Sequence, residues 1–340
     1  MAVIKEAILC ATAHENLTNE VAEAVIHEIL NGEATPCLMA SFLTAMSTKG
    51  ETIEEITWSA VGMSKHCTRL LQEYEMNALE IAGTGGDRSQ SFNISSATAL
   101  VVSAAGVPVA KPGSRANSSR CGTADVFEAL GVNIDLSPER SIELLKSIGL
   151  CFLFAPQYAP CMKYVAPVRK EIGIRTIFNI IGPLVSPAGA KKLLLGVYDG
   201  KLVEPIARVL ANLGVQNALV VYGQDGLDEI SIGAPTSICE VRSGLLKMYE
   251  ITPEQFGLHR ASKRDILGGT PAENAAIIRA ILSGELGARR DIVLLNSAAS
   301  IYVACPTLTL AECIEMARDA IDNGKARAQL KRFIELSSVE

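Results

Sequence analysis

Leu79-Glu80-Ile81-Ala82-Gly83-Thr84-Gly85-Gly86-Asp87 is a short apolar run that breaks into a loop with three glycines in four residues. Ser91-Phe92-Asn93-Ile94-Ser95-Ser96 then leads into a small-residue helix expected over 97–105, and a strand over 107–110 delivers a second loop, Lys111-Pro112-Gly113-Ser114-Arg115-Ala116-Asn117-Ser118-Ser119-Arg120. Glycines let backbone N–H groups approach a ligand with no Cβ in the way. A helix beginning near Ser95 points its positive end at the same place. Lys111, Arg115 and several hydroxyls join from the second loop. One Gly-rich turn between strand and helix is common and often only turns; two, both hydroxyl-rich and one basic, suit a phosphorylated polyanion. No Gly-Lys-[Ser/Thr] follows, and Arg88 stands where a dinucleotide fingerprint has its last glycine, so NAD and Walker-type NTP sites are disfavoured.

Working outward, 340 residues allow a generous core and two domains. With 49% hydrophobic and 20% charged residues the composition is that of an ordinary globular protein. A net charge of -6 argues against nucleic acid or a membrane surface as the main partner. The nine cysteines are scattered with no Cys-x-x-Cys pair, which reads as reduced thiols. With no bilayer-length apolar run and no signal-like N-terminus, the expected location is cytoplasmic.

Upstream of the opening stretch the pattern is helical. Ile4, Ile8 and Leu9 recur at helical spacing, Leu17-Thr18-Asn19-Glu20 caps a helix, Thr35-Pro36 starts another, and 52–71 supplies a further one. Downstream, strands over 150–154, 192–197, 217–221 and 236–241 alternate with helices over 140–148 and 203–213, and helices close the chain over 271–282, 292–304 and 310–336. The expected fold class is α/β: a small all-helical N-terminal domain, residues 1–73 joined by part of 164–185, and a larger α/β domain, residues 74–340, with a mostly parallel central sheet.

The four histidines, His14, His27, His66 and His259, form no i,i+3 or i,i+4 pair, and each reads as a surface or helix-face residue; no Gly-x-Ser-x-Gly elbow is present. Gly223-Gln224-Asp225-Gly226-Leu227-Asp228-Glu229 follows a buried strand. Ligands of α/β sheets bind beyond the carboxyl ends of strands. Adjacent carboxylates there suit Mg²⁺, which takes one or two carboxylates plus substrate phosphates. Alone this would be a solvated acidic turn; beside two phosphate loops it reads as half of a Mg²⁺–polyphosphate site.

Together with Gly122-Thr123-Ala124-Asp125-Val126-Phe127-Glu128-Ala129-Leu130-Gly131, Val165-Ala166-Pro167-Val168-Arg169 and Arg175-Thr176-Ile177-Phe178-Asn179-Ile180-Ile181-Gly182-Pro183-Leu184, these motifs resemble the anthranilate phosphoribosyltransferase family over nearly the whole chain. The resemblance implies a cytoplasmic homodimer that uses Mg²⁺ to transfer phosphoribosyl from 5-phosphoribosyl-1-pyrophosphate (PRPP) to an aromatic amine in tryptophan biosynthesis, with anthranilate the default acceptor and no protein nucleophile. It implies that Gly83, Gly86, Asp87, Ser91, Asn93, Ile94, Ser95 and Ser96 hold PRPP and that Ser95, Asp228 and Glu229 bind Mg²⁺. Lys111 and Ser119 would contact phosphate or ribose, Gly113, Ser114 and Arg115 would complete the substrate-binding set, and Arg169 would grip the acceptor carboxylate. The chemistry fits these types: displacement at the anomeric carbon builds negative charge on the departing pyrophosphate, so a cationic, amide-rich site can stabilise it.

The chain departs from the family at Pro112, Ser114 and Ala159, where the family has His, Asn and His on the acceptor route. The alternatives are therefore the same chemistry on another aromatic or heteroaromatic acceptor and, from another class, a noncatalytic member that binds nucleic acid. A nucleoside phosphorylase is a weaker enzymatic rival. The missing side chains predict weak anthranilate turnover and a different or larger preferred acceptor.

Overall fold

The computed structural model describes residues 2–70, 77–116 and 120–338. The chain opens with four helices, α1 (Val3–Thr12), α2 (Asn19–Leu30), α3 (Pro36–Lys49) and α4 (Ile53–Ser64). Their starts follow from capping chemistry: the Thr18, Thr35 and Thr52 hydroxyls accept from Val21, Leu38 and Glu55 N–H groups. The buried Glu55 carboxylate accepts from the Thr52 N–H, the Leu17 N–H and the Lys49 ammonium, each at 2.8 Å, so it ties three parts of the bundle together. The helix expected over 52–71 ends at Ser64, because Lys65 and His66 close the last turn by 3₁₀-type bonds to Gly62 and Met63.

The remaining elements alternate. They are β1 (Leu79–Gly83), α5 (Ile94–Ala104), β2 (Val109–Gly113), α6 (Thr123–Leu130), α7 (Pro138–Ile148), β3 (Leu150–Phe154), α8 (Ala155–Tyr158), α9 (Ala166–Ile172), α10 (Ile177–Ile181) and β4 (Lys192–Gly196). There follow α11 (Val203–Asn212), β5 (Asn217–Gly223), β6 (Thr236–Arg242), β7 (Leu245–Ile251), α12 (Pro271–Leu282), α13 (Ala288–Ala304), α14 (Leu310–Asp322) and α15 (Lys325–Ser337). The single helix expected over 310–336 is thus two, broken at Asn323-Gly324, where Gly324 adopts φ 72°. Strand β7 was not foreseen. It returns from β6 through Ser243-Gly244, both at positive φ, as a two-residue hairpin demands.

The seven strands run in the order β3-β2-β1-β4-β5-β6-β7. The first five are parallel and the last two antiparallel, giving the mostly parallel sheet expected. Alternation along the strands divides the apolar residues between two faces. Leu194, Leu219 and Val221 join the core beneath α5, α6, α7 and α12 to α15, whereas Leu193, Leu195, Ala218 and Val220 join a core shared by α11, α9, α10 and the N-terminal bundle. The segment carrying α9 and α10 packs on α3 and α4.

Crossovers from β1 run through β2 to β3 on one side, while β4 and β5 lie on the other. The reversal between β1 and β4 opens a crevice outside their carboxyl ends, the usual ligand position in such sheets. All four strands around it, β1, β2, β4 and β5, end in glycine.

Candidate active site

The glycines at the crevice are there because another segment lies on top of them. A Cβ at Gly196 would stand 1.6 Å from the Asp228 carbonyl oxygen, and one at Gly83 2.8 Å from the Asp228 carboxylate. The Asp228 turn therefore seats directly on the ends of β1 and β4. The loop after β1 is bonded into this seat: Thr84 N–H donates to Gly196 O at 2.9 Å, Gly85 N–H to Asp228 Oδ2 at 2.8 Å, and Asp228 N–H to Asp87 Oδ2 at 3.4 Å. Gly85 and Gly86 have φ of 64° and 74°, a region open to glycine without strain. Among the described residues the Gly86 and Asp87 N–H groups find no acceptor. Ser91 bridges Leu267 in antiparallel fashion and its hydroxyl bonds that of Ser89.

Helix α5 begins at the same crevice. The Asn93 side chain does not cap it; its amide donates to Cys121 O at 3.2 Å and its oxygen accepts from Asn274 at 2.8 Å. Asn274 is itself buried and accepts from Gly269 N–H at 2.7 Å, so α12 holds the start of α5 from behind. Ile94 is buried, and its N–H turns back to Phe92 O. The Ser95 N–H favours the ionised Glu229 carboxylate, and the buried Ser96 hydroxyl has no partner among the described residues. The positive end of an eleven-residue helix thus faces the acidic turn.

Charge in the crevice is unbalanced. Burial, then the Asp87 carboxylate, pushes Asp228 up to about 7. Burial and Asp228 hold Glu229 well above the usual carboxylate range, although Lys111 and the Ser95 N–H oppose this. Lys111 is buried and pushed down to about 8 by desolvation, with Glu229, Glu80 and Asp228 pulling it back up. Asp228 and Glu229 keep part of their surface open to the cleft. Two adjacent carboxylates that resist ionisation are relieved by a cation. Among the described residues no three His, Cys, Asp or Glu side chains form a closed metal cage. Mg²⁺ takes one or two carboxylates and keeps positions for substrate phosphates and water, which the Asp228–Glu229 pair could serve.

The second loop is arranged differently from expectation at one residue. Gly113 lies where a Cβ would meet Thr123 at 2.6 Å, and Ser114 O accepts from Ala124 N–H. Arg115, expected to bind substrate, is instead held by Glu128 through two hydrogen bonds (2.5 and 2.9 Å) and by Asp125 at 3.2 Å, and it lies over the Phe154 ring. Its guanidinium ties the loop to α6 in this arrangement. Asp125 completes the fold by accepting from the Ala116 and Gly122 N–H groups, both at 2.8 Å. Ser119 and the neighbouring Asn117 and Ser118 lie outside the described residues.

On the other flank, Arg169 sits half-buried on α9, its guanidinium 5.8 Å from the Phe178 ring centroid, with no carboxylate partner among the described residues. Burial lowers its pKa, and a guanidinium stays charged regardless. Ala159 and Ser114 offer little here: Ser114 turns its hydroxyl to Arg115 O, and Ala159 joins α8 to a 3₁₀ turn over Pro160–Tyr164. Arg175 was overlooked as a functional residue, although its motif was recognised; it stacks on Tyr198 and donates to Gly86 O. His27 and His66, read separately in the sequence, share a 2.5 Å hydrogen bond in the bundle. A cavity of about 390 Å³ lined by Arg260, Arg289 and Arg290 lies elsewhere, and its arginines are engaged by Glu254, Leu267 O and Asp322.

The chain matches the family model for the glycosyl transferase family α/β domain over residues 75–327 and that family's helical bundle domain over residues 5–67. It is 57% identical to the anthranilate phosphoribosyltransferase of Lachnoclostridium phytofermentans, with 99% of each chain covered. The crystal structure of anthranilate phosphoribosyltransferase from Thermus thermophilus superposes with a TM-score of 0.92 at 41% identity, covering 100% of both chains. The Saccharomyces cerevisiae enzyme in complex with PRPP and Mg superposes at 0.89 with 28% identity, covering 99% of this chain and 98% of that one. With both family domains matched in order and a relative at 57% identity over 99% of the chain, this chain belongs to the anthranilate phosphoribosyltransferase family.

Proposed function

We propose that this protein transfers the 5-phosphoribosyl group from PRPP to the amine of anthranilate, releasing pyrophosphate, with Mg²⁺ bound at Asp228, Glu229 and Ser95. The observation that carries this reading is the meeting, at the ends of β1 and β4, of free loop amides, the α5 N-terminus and two carboxylates whose ionisation burial opposes. When bound, Mg²⁺ would supply positive charge against the diphosphate leaving group.

The remaining work falls to the chain's own groups. The Gly86 and Asp87 N–H groups, the first turn of α5 and Lys111 receive phosphate oxygens, with Gly83 letting the Asp228 carboxylate seat beside them. Ser91, Asn93, Ile94 and Ser96 shape that turn, and Gly113 and Ser114 line its side. Arg169 takes the acceptor's carboxylate and orients its amine. The C1–oxygen bond to pyrophosphate breaks as the C1–nitrogen bond forms, and the amine then gives up a proton. Positioning and leaving-group stabilisation suffice, so no covalent protein intermediate is required.

Anthranilate is favoured over other acceptors because the relatives named above carry that activity in their names. Nucleic-acid binding is opposed by the net charge of -6. The same resemblance supports a division at about residue 73, with the α9–α10 segment moving with the bundle, and a cytoplasmic homodimer. Light scattering tests the dimer. The decisive assay is pyrophosphate release from PRPP with anthranilate. We expect release that needs both substrates and stops on chelation of Mg²⁺; release of free base from nucleosides by phosphate, with no PRPP-dependent turnover, would overturn the reading. No helix among the described residues is long and apolar enough to cross a membrane.

A further inference from the structure

The geometry points to Arg175 as a positioning residue that ties the acceptor-bearing segment to the PRPP loop and fixes the direction of a phosphate-binding amide. This rests on the proposed PRPP site. Arg175 lies in the connection between α9 and α10, six positions beyond Arg169. Its place along the chain is set by its neighbour: Thr176 is buried, and its N–H donates to Asn179 Oδ1 at 2.9 Å, capping α10. Because α9 and α10 pack on α3 and α4, this arginine is carried by a segment that rests on the helical bundle.

Its side chain nevertheless reaches the α/β part in two places. The guanidinium carbon lies 3.8 Å from the centroid of the Tyr198 ring, and a terminal nitrogen donates to Gly86 O. Tyr198 follows β4, and its N–H donates to Thr84 Oγ1 at 3.0 Å. Arg175, Tyr198, Thr84 and Gly86 thus form a closed circuit around the glycine loop, reached from a segment 89 residues away.

The consequence for binding follows from the peptide plane. In a trans peptide the C=O and the next N–H point in opposite directions. Holding the Gly86 carbonyl toward Arg175 therefore directs the Asp87 N–H away from it, and that N–H is one of the loop donors with no acceptor among the described residues. Gly86, at φ 74° and without a side chain, would otherwise sample several orientations. A flat guanidinium stacked on an aromatic ring is suited to hold a carbonyl in one place.

The test compares wild type, R175A, R175K, Y198A and the R175A/Y198A double variant of the full chain, by calorimetry with Mg²⁺ and PRPP, and by steady-state kinetics. Wild type is measured first: if it does not bind PRPP with Mg²⁺, the site reading itself fails. If it does, R175A is expected to weaken PRPP binding by about 10- to 100-fold, the range for losing a hydrogen bond from a charged donor. The KM for anthranilate should change less than about threefold, and R175K, which keeps a donor but not the flat stack, should recover part of the PRPP affinity. Y198A should give a smaller loss in the same direction, and the double variant should lose less than the product of the two singles. PRPP affinity within twofold of wild type in R175A, equal losses for both substrates, or strictly multiplicative losses would each overturn the proposal. Should R175A fail to fold, R175K and Y198A carry the same comparison.

Discussion

The donor and acceptor halves of the crevice are built by different means. The donor half rests on backbone: four parallel strands ending in glycine, a turn seated on two of those glycines, and loop amides bonded to main-chain or carboxylate oxygens. The acceptor half rests on side chains carried by short helices and 3₁₀ turns, α8 to α10, of four to seven residues. A backbone site tolerates few substitutions because the chain path itself is the site. A side-chain site can lose a histidine and keep its fold, as Ala159 between α8 and the 3₁₀ turn does, whereas Pro112 and Ser114 lie on β2 and the loop after it.

The largest expected effect would come from striking the donor half at its carboxylates. Asp228→Asn with Glu229→Gln should lower kcat by about 100- to 1000-fold, the usual loss when leaving-group stabilisation is removed, while the circular dichroism spectrum stays native. An unchanged Mg²⁺ dependence in that variant would break the assignment of the metal to this turn.

Next comes the acceptor half. Arg169→Ala should raise the anthranilate KM by about 10- to 100-fold and leave the calorimetric PRPP affinity unaltered. A parallel fall in PRPP affinity would show that the two halves are not separable in the way described.

A third effect reads the floor of the donor half through pH. Glu80 on β1 is buried, and desolvation pushes it up to about 7 against bonds from Ser186 and Ala188. The native state therefore holds this proton more tightly than the unfolded chain does. The contribution of Glu80 to stability should fall as pH rises from 4.5 to about 7 and then level off. Glu80→Gln keeps an acceptor oxygen but has no charge to bury, so its gain over wild type should be near zero at pH 4 and reach about 1–3 kcal/mol above pH 7. Urea denaturation at several pH values measures it. A gain that does not vary with pH would remove the buried charge from the account.

The smallest effect belongs to the lost acceptor side chains. Ser114→Asn, which returns the family's amide, should change the anthranilate KM by about threefold at most, the worth of one partly exposed hydrogen bond. A much larger improvement would mean that the acceptor half is defective as it stands and would revive the case for another acceptor.

Much of the donor half could be read along the chain because its determinants are local. Gly83-Thr84-Gly85-Gly86-Asp87 follows an apolar strand, Ser95 and Ser96 open a helix, and threonine caps announced α2, α3 and α4. What escaped was set by contacts between distant residues. That Arg115 would pair with Glu128, thirteen positions on, could not be read from the spacing. Arg175 gained its meaning from Gly86 and Tyr198, and His27 from His66 in the turn after α4. The hairpin strand β7 lacks a buried face, with Leu245 and Met248 exposed, so no apolar alternation marked it. The break at Asn323-Gly324 was written in the chain, as an Asn-Gly pair of the kind that ends α2 at Asn31-Gly32, and was passed over.

One measurement addresses the whole account: the crystal structure of this protein with Mg²⁺, PRPP and anthranilate bound together. The account predicts pyrophosphate against the Gly86 and Asp87 amides and the first turn of α5, the cation on Asp228 and Glu229, and the anthranilate carboxylate on Arg169. The amine should then lie about 3–3.5 Å from the anomeric carbon, as a near-attack arrangement requires. PRPP seated away from the ends of β1 and β4, or anthranilate bound without Arg169, would contradict it.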